Sequence, residues 1–251
     1  VGRRRLWGLS ALRFAPMKLT IIQTGDVPLP LRGQFGPYRK MFERMFDQTG
    51  QGFSYETINI ADGAPFPDHQ NIEGIVITGS AAGVYDDFAW LEPLRDFIRH
   101  SYTQRTPMLG ICFGHQIMAD ALGGDVRKSE KGWGLGRHVY GVQQRPEFMQ
   151  RAPSQLAVAC SHQDQVITPP RDAEVILASD FTPNAGLAYR NGAALSFQPH
   201  PEFDDAYTLA LAELRRGKAP DSLVDRAVAS VATPSDSADV AGYIGRFFKG
   251  V

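Results

Sequence analysis

Pro107-Met108-Leu109-Gly110-Ile111-Cys112-Phe113-Gly114-His115-Gln116 is an apolar run that ends in a cysteine between two glycines. The run reads as a short buried strand, and 114–122 reads as a helix stopped by Gly123-Gly124. A strand that turns directly into a helix crowds the residue at the turn, and flanking glycines relieve that crowding. The turn would present Cys112 at the carboxyl edge of a sheet, facing a helix N-terminus whose partial positive charge favours a thiolate. The turn alone is compatible with either a nucleophile or a structural cysteine. Further along, a second apolar run, Ala193-Ala194-Leu195-Ser196-Phe197, leads to Pro199-His200-Pro201-Glu202. Pro201 keeps His200 out of the helical region, and Glu202 is placed to bind one imidazole nitrogen and leave the other free. If the two runs are parallel strands, Cys112 and His200 emerge at the same edge. Nucleophile, base and orienting acid are then the inventory of acyl transfer through a thioester.

Outward from this centre, strand and helix signals alternate. Strands are expected at 17–23, 55–60, 74–78 and 108–111, and helices at 38–46, 90–100 and 114–122. Tyr38, Met41, Phe42, Met45 and Phe46 recur at helical spacing and read as a core-facing stripe. This alternation predicts an α/β fold with a mostly parallel, doubly wound, flavodoxin-like sheet. From about Val139 the pattern shifts to short strands at 139–142, 156–159, 175–178, 186–189 and 194–197, expected to extend the sheet with antiparallel strands. Residues 17–251 are read as a single domain that includes a helical segment, 205–251, broken at Thr233-Pro234-Ser235. Residues 1–16 carry Arg3-Arg4-Arg5 and no acidic residue, and read as a disordered extension ahead of Met17, with a targeting segment as the alternative.

Bulk properties narrow the function classes. The chain has 251 residues, 43% hydrophobic and 21% charged, which suits a sizeable core. A net charge of −1 gives no reason to expect nucleic acid or a membrane surface as partner. Two cysteines cannot build a disulfide framework and fit a reducing, cytoplasmic setting. Cys160 has no glycine neighbours and reads as a buried small hydrophobe. Cys112 and His115 have Cys-x-x-His spacing, with His162 and His200 as conceivable further ligands. That spacing alone is weak and the glycines are better explained by a turn, so neither metal nor cofactor is expected. The charged runs Arg215-Arg216-Gly217-Lys218 and 246–249 read as solvated helix faces.

Taken together, these residues resemble class I glutamine amidotransferases, the triad family that includes the glutaminase portions of GMP synthase and carbamoyl phosphate synthetase. The family's Gly-x-Cys-x-Gly-x-Gln stands as Gly110 to Gln116, and its His-Pro-Glu as His200-Pro201-Glu202. Ser161-His162-Gln163-Asp164-Gln165-Val166 is similar to the Ser-His-x-Asp-x-Val of GMP synthase relatives, and Thr78-Gly79-Ser80 stands at the oxyanion loop. The match runs from about Met17 to Phe203. It implies that Cys112 attacks the γ-carboxamide of glutamine, His200 shuttles the proton and Glu202 orients it. It implies an oxyanion hole from the amides of Gly79 and Phe113. Ser80, Gln116, Ser161, His162 and Trp133 would then contact substrate or shape its pocket, with Glu130-Lys131-Gly132-Trp133 lining the site. Tyr85-Asp86-Asp87 either closes over the pocket or begins a turn and helix. The oxyanion loop departs from the double-glycine form of the large synthetases, and no Ser-Gly-Gly or Gly-x-x-x-x-Gly-Lys phosphate loop occurs. The expected reaction is hydrolysis of glutamine to glutamate and ammonia, the ammonia passing to a separate synthetase or acceptor protein. The alternative is hydrolysis of a γ-glutamyl peptide or γ-glutamyl amine by the same triad. A non-catalytic binding module on the same scaffold is the remaining reading.

Overall fold

The computed structural model describes residues 16–251, so the expectation for 1–16 lies, except for Pro16, outside the described residues. Strand β1 (Met17–Gln23) is followed by helix α1 (Tyr38–Gln48), β2 (Phe53–Asn59), β3 (Gly74–Ile77), α2 (Leu91–Thr103), β4 (Met108–Ile111) and α3 (Phe113–Ala121). Then come β5 (Asp125–Lys128), β6 (Gly134–Val142), β7 (Gln155–His162), β8 (Asp164–Thr168), β9 (Ala173–Ala178), β10 (Gly186–Tyr189) and β11 (Ala194–Phe197). Three helices complete the chain: α4 (Asp205–Glu213), α5 (Asp221–Ser230) and α6 (Ser237–Lys249). A nine-stranded sheet runs in the order β2-β1-β3-β4-β11-β10-β9-β6-β7. Its first five strands are mutually parallel and the rest are joined by antiparallel pairs. The expected parallel pairing of the strands before Cys112 and His200 is present, since β4 and β11 lie side by side from Met108↔Ala194 to Ile111↔Phe197.

The period-2 alternation of the strands feeds two cores, one on each side of the sheet. Leu19, Ile21, Val76, Leu109 and Ile111 pack under α1 and α6 with Phe42, Phe46, Ile244 and Phe248. Ile22, Ile75, Ile77 and Met108 face α2 and α3, against Leu94, Phe97, Phe113 and Ile117. Each such fully buried side chain contributes roughly 1.5–3 kcal/mol relative to leaving it in water. The stripe from Tyr38 to Phe46 is the core face of α1, as its spacing predicted. Two features were not legible beforehand. β5 and β8 form a separate two-stranded ribbon. The carboxyl-terminal segment has a second break, 214–220, between α4 and α5.

The turn at Cys112 is tighter than the glycine pattern alone conveys. Cys112 has φ 54° and ψ −103°, a conformation that only glycine adopts freely. The flanking glycines act through close approach. A Cβ on Gly110 would stand 2.4 Å from the Gly114 carbonyl oxygen, and one on Gly114 would stand 2.2 Å from the Ile77 carbonyl oxygen. Both obstacles are backbone and neither can move aside. Helix α3 can therefore lie directly on β3 and β4 only because these positions lack side chains.

Two stability measurements follow from this geometry. Gly114→Ala should cost about 3 kcal/mol or more in denaturant unfolding, whereas Gly33→Ala, with open space around it, should stay within about 0.5 kcal/mol. Equal midpoints for the two variants would contradict the close-contact account. Cys112→Gly should be more stable than Cys112→Ala by about 1 kcal/mol, because only glycine relieves the positive φ. An alanine variant at least as stable would show that the turn carries no strain.

Candidate active site

The parallel strands end at a common edge, where open α/β sheets bind ligands at the reversal of strand order. Here the reversal lies between β1 and β3, and the loops after them face the turn after β4. The β1 loop clamps the β3 loop by hydrogen bonds. The Thr24 amide donates to Thr78 Oγ1 at 3.1 Å, and Thr24 Oγ1 donates to the Thr78 carbonyl at 3.0 Å. Ser80 Oγ donates to the Thr24 carbonyl at 2.8 Å and accepts from the Ala82 amide at 3.1 Å. Ser80, expected to touch substrate, lines the cleft beside Cys112 while its hydroxyl holds this loop. Thr24 was not singled out in the sequence, since a threonine ending a strand gives no local signal of a clamp.

Gly79 sits where the clamp places it. A Cβ there would be 3.2 Å from His200 Cε1 and 3.7 Å from Cys112 Cβ, so the backbone of Gly79 closes one side of the pair. Among the described residues its amide donates to no protein acceptor. Phe113 opens helix α3, and the first amides of a helix have no partner within it. These are the two donors that the resemblance assigns to an oxyanion hole.

Cys112 is held by its amide, which donates to the Phe197 carbonyl at 2.8 Å. His200 is held by a bridge to β7, its amide donating to the Ala159 carbonyl at 2.8 Å. The imidazole lies flat on Phe203, with centroids 4.0 Å apart and planes 7° apart. Nδ1–H donates to Glu202 Oε1 at 2.7 Å, and both side chains are buried. Burial alone would lower the His200 pKa. The Glu202 charge and the hydrogen bonds to Cys112 and Glu202 outweigh it and raise the pKa to about 10. The imidazole is therefore bonded to a carboxylate and lies beside Cys112.

In front of Cys112 lies a cleft of about 320 Å³. Its walls include Gln116, Trp133, Ser161, His162 and Asp164, so the expected substrate-contact residues are brought together. Gln116 donates to the Asp164 carbonyl at 2.9 Å and to Gln198 Oε1 at 3.1 Å. Ser161 Oγ is buried without a protein partner and is free for a ligand. His162 Nδ1–H donates to the Asp164 carbonyl at 3.0 Å, and burial lowers its pKa to about 3, so it stays neutral. Of the stretch 130–133 only Trp133 reaches the cleft, while Lys131 turns away to the carbonyls of Asp180 and Phe181. Tyr85 and Asp86 line the rim. Asp86 closes a turn onto Gly83, and Tyr85 O–H donates to Asp164 Oδ2 at 2.8 Å across the cleft. The segment is a turn whose Tyr85 reaches across the cleft, and it does not start a helix, since the following helix begins only at Leu91.

Other candidates separate from the cleft. Cys160 is fully buried beside Tyr140, and burial pushes its thiol pKa well up. His115 points away from Cys112, with Nδ1 2.8 Å from Ser196 Oγ and its pKa lowered to about 3 by burial. Among the described residues no three of His, Cys, Asp and Glu gather as a metal site. A larger cleft of about 670 Å³ lies behind Glu202, between α1 and α6, and does not include Cys112. The run 215–218 corrects the sequence reading. Arg216 is solvated and ion-paired to Glu213 and Asp225, but Arg215 enters the Cys112 cleft, its guanidinium 4.3 Å from the centre of the Trp133 ring. Two adjacent arginines in a helix-terminal run give no sequence signal of which one turns inward.

Comparison with known proteins agrees with this architecture. The chain is similar to a glutamine amidotransferase structure from Thermotoga maritima, at a TM-score of 0.72 and 19% identity over 94% of this chain and 100% of that one. A glutamine amidotransferase from Methylobacillus flagellatus superposes with a TM-score of 0.73 at 18% identity, covering 94% of each chain. In sequence, gamma-glutamyl peptidase 4 of Arabidopsis thaliana is 29% identical over 178 residues, 68% of this chain and 69% of the relative. The glutamine-hydrolyzing GMP synthase of Aquifex aeolicus is 35% identical over 133 residues, 53% of this chain and 25% of that protein. The family model described as glutamine amidotransferase class-I matches residues 39–207, which carry β3, the Cys112 turn and the His200–Glu202 pair. The chain belongs to the class I glutamine amidotransferase family, a hydrolytic family of glutamine amidotransferases and γ-glutamyl peptidases.

Proposed function

We propose that the chain hydrolyses the γ-amide bond of glutamine through a glutamyl thioester on Cys112, releasing ammonia. The observation that carries this reading is the buried imidazole of His200, tied to Glu202 at 2.7 Å and packed with Cys112 against the backbone of Gly79. The Cys112 sulfur attacks the γ-carbonyl carbon as a thiolate, its proton held on the His200 imidazolium, and the oxyanion forms against the amides of Gly79 and Phe113. One such donor is typically worth about 10²–10³ in rate. The tetrahedral centre collapses as the C–N bond breaks and His200 gives its proton to the departing nitrogen. Water, losing its proton to the same imidazole, then opens the thioester to glutamate. Glu202 holds the ring and stabilises its charged form. Gln116 and Ser161 shape the wall that receives the glutamyl moiety.

The similarity to gamma-glutamyl peptidase 4 supports a second reading, in which the same thioester forms from a γ-glutamyl peptide or amine and the leaving group is an amine. The similarity to GMP synthase supports delivery of ammonia to a separate synthetase. Both cysteines are free thiols, which suits a reducing, cytoplasmic setting. Among the described residues no helix is long and apolar enough to cross a membrane.

A chloroketone analogue of glutamine should alkylate Cys112 and spare Cys160, and Cys112→Ala should abolish turnover of glutamine and of γ-glutamyl amides alike. Mass spectrometry locates the adduct; a folded protein that remains unlabelled at Cys112 would remove the thioester mechanism. The raised His200 pKa fixes the alkaline side of the pH profile. The protonated ring persists through neutral pH, so kcat/KM should fall only as pH rises through about 10. In Glu202→Gln the raising charge is lost while burial still lowers the pKa, and the fall should move towards neutral pH. An alkaline limb that does not move in this variant would show that Glu202 does not set the ionisation of His200.

A further inference from the structure

The structure assigns a carboxylate-binding role to Arg215: we propose that, among the γ-glutamyl peptides and amines of the second reading, it selects those whose leaving group carries a free carboxylate. This rests on the reading that Cys112 opens a γ-glutamyl amide bond, and adds what stands on the far side of that bond.

Arg215 follows α4, beyond the 39–207 that match the family model, and lines the same cleft as Cys112. It lies within electrostatic range of Cys112, Tyr38 and Tyr207. Its neighbour Arg216 is paired with Glu213, Asp221 and Asp225. Among the described residues Arg215 has no carboxylate within ion-pair distance, and its Nε is buried without a hydrogen-bond partner. Trp133 lies against the guanidinium, 4.3 Å from its carbon to the ring centre, and among the described residues no protein acceptor takes the guanidinium N–H groups. A half-buried cation whose own chain supplies no counter-charge, beside a nucleophile, is arranged for an anionic group of the substrate. A guanidinium edge matches a carboxylate in particular.

Which carboxylate follows from the side on which Arg215 stands. The leaving nitrogen takes its proton from His200, so the leaving group lies next to that imidazole. His200 stacks on Phe203, and Phe203 meets Tyr207 edge-on at 4.6 Å. Tyr207 in turn is on α4, the helix that precedes Arg215 in the chain. Gln116, Ser161 and Asp164, which belong to α3 and the β7–β8 region, form the other wall and are left for the glutamyl half. Ammonia from glutamine would make no use of Arg215, whereas an amino-acid leaving group carries its carboxylate towards it. The thiolate forms the S–C bond, the C–N bond breaks, and the nitrogen leaves with the His200 proton as a free amino acid. Water then cleaves the S–C bond and returns the thiol with glutamate.

γ-Glutamylglycine and γ-glutamyl methylamide differ only by the carboxylate in question. The wild-type protein should turn over γ-glutamylglycine with a kcat/KM about 10–100-fold above that for the methylamide. Arg215→Gln should remove most of that advantage, chiefly through KM, while leaving the methylamide within about twofold. Arg215→Lys should recover part of it. Unchanged methylamide turnover reports that the variant is folded and that the thioester chemistry is intact. Equal losses for both substrates would overturn the assignment, because Arg215 would then serve the glutamyl half or the fold. A wild-type protein that does not favour γ-glutamylglycine would overturn it as well. Methylamide turnover that depends on Cys112 would show that such a failure belongs to Arg215 alone. Absence of Cys112-dependent turnover with glutamine and both γ-glutamyl substrates would overturn the thioester reading and this inference with it.

Discussion

Everything at the site depends on the contact between the backbone of Gly114 and the carbonyl of Ile77. With no side chain at Gly114, the first turn of α3 rests on the end of β3, and the chain between β4 and α3 has a single residue, Cys112, in which to reverse direction. That residue is forced to φ 54°, a strained conformation that is sustained because Phe197 fixes its amide from one side and α3 from the other. The same contact brings the loop after β3 within reach of the thiol, so that Gly79 lies against both Cys112 and His200. Backbone proximity, set by the missing side chains, thus does two things at once: it sets Cys112 at the floor of the cleft and puts an amide donor beside it.

His200 is delivered by a different device. Its strand, β11, is parallel to β4, which carries the segment to the correct edge. The antiparallel half of the sheet then rolls back, and Ala159 of β7 pairs with His200 itself. This roll also sets Ser161 and His162 opposite the thiol, so one strand both fixes the imidazole and builds the cleft wall. With Glu202 at 2.7 Å and Phe203 stacked beneath, the ring has little freedom left. Its raised pKa is the electrostatic consequence of sitting between a buried carboxylate and a thiol.

The last three helices extend this centre. Arg137, buried on β6, donates to the carbonyls of Val231 and Thr233 and to the carboxylate of Asp205, and so ties the start of α4 and the end of α5 to the sheet. Gly136 lets α5 approach β6, since a Cβ there would stand 2.5 Å from the Ala227 carbonyl oxygen. The turn between these helices is the one that carries Arg215 to Trp133. The rim cation is therefore held by packing as much as by its own contacts.

The sequence by itself determined the parallel half of the fold and the reacting groups. Period-2 apolar strands, the amphipathic stripe of α1 and the glycines around Cys112 are local signals, because each reflects what a short segment must do to be buried or to turn. The motifs Gly110 to Gln116 and His200 to Glu202 named the nucleophile and its partners for the same reason. Only the tertiary structure decided how distant segments serve one another. The β5–β8 ribbon, the clamp of Thr24 on Thr78 and Ser80, and the inward turn of Arg215 rather than Arg216 involve groups far apart in the chain. Their physical basis is non-local: a hydroxyl, a short polar strand or an arginine carries no mark of which carbonyl, strand or ring will meet it until the sheet has closed.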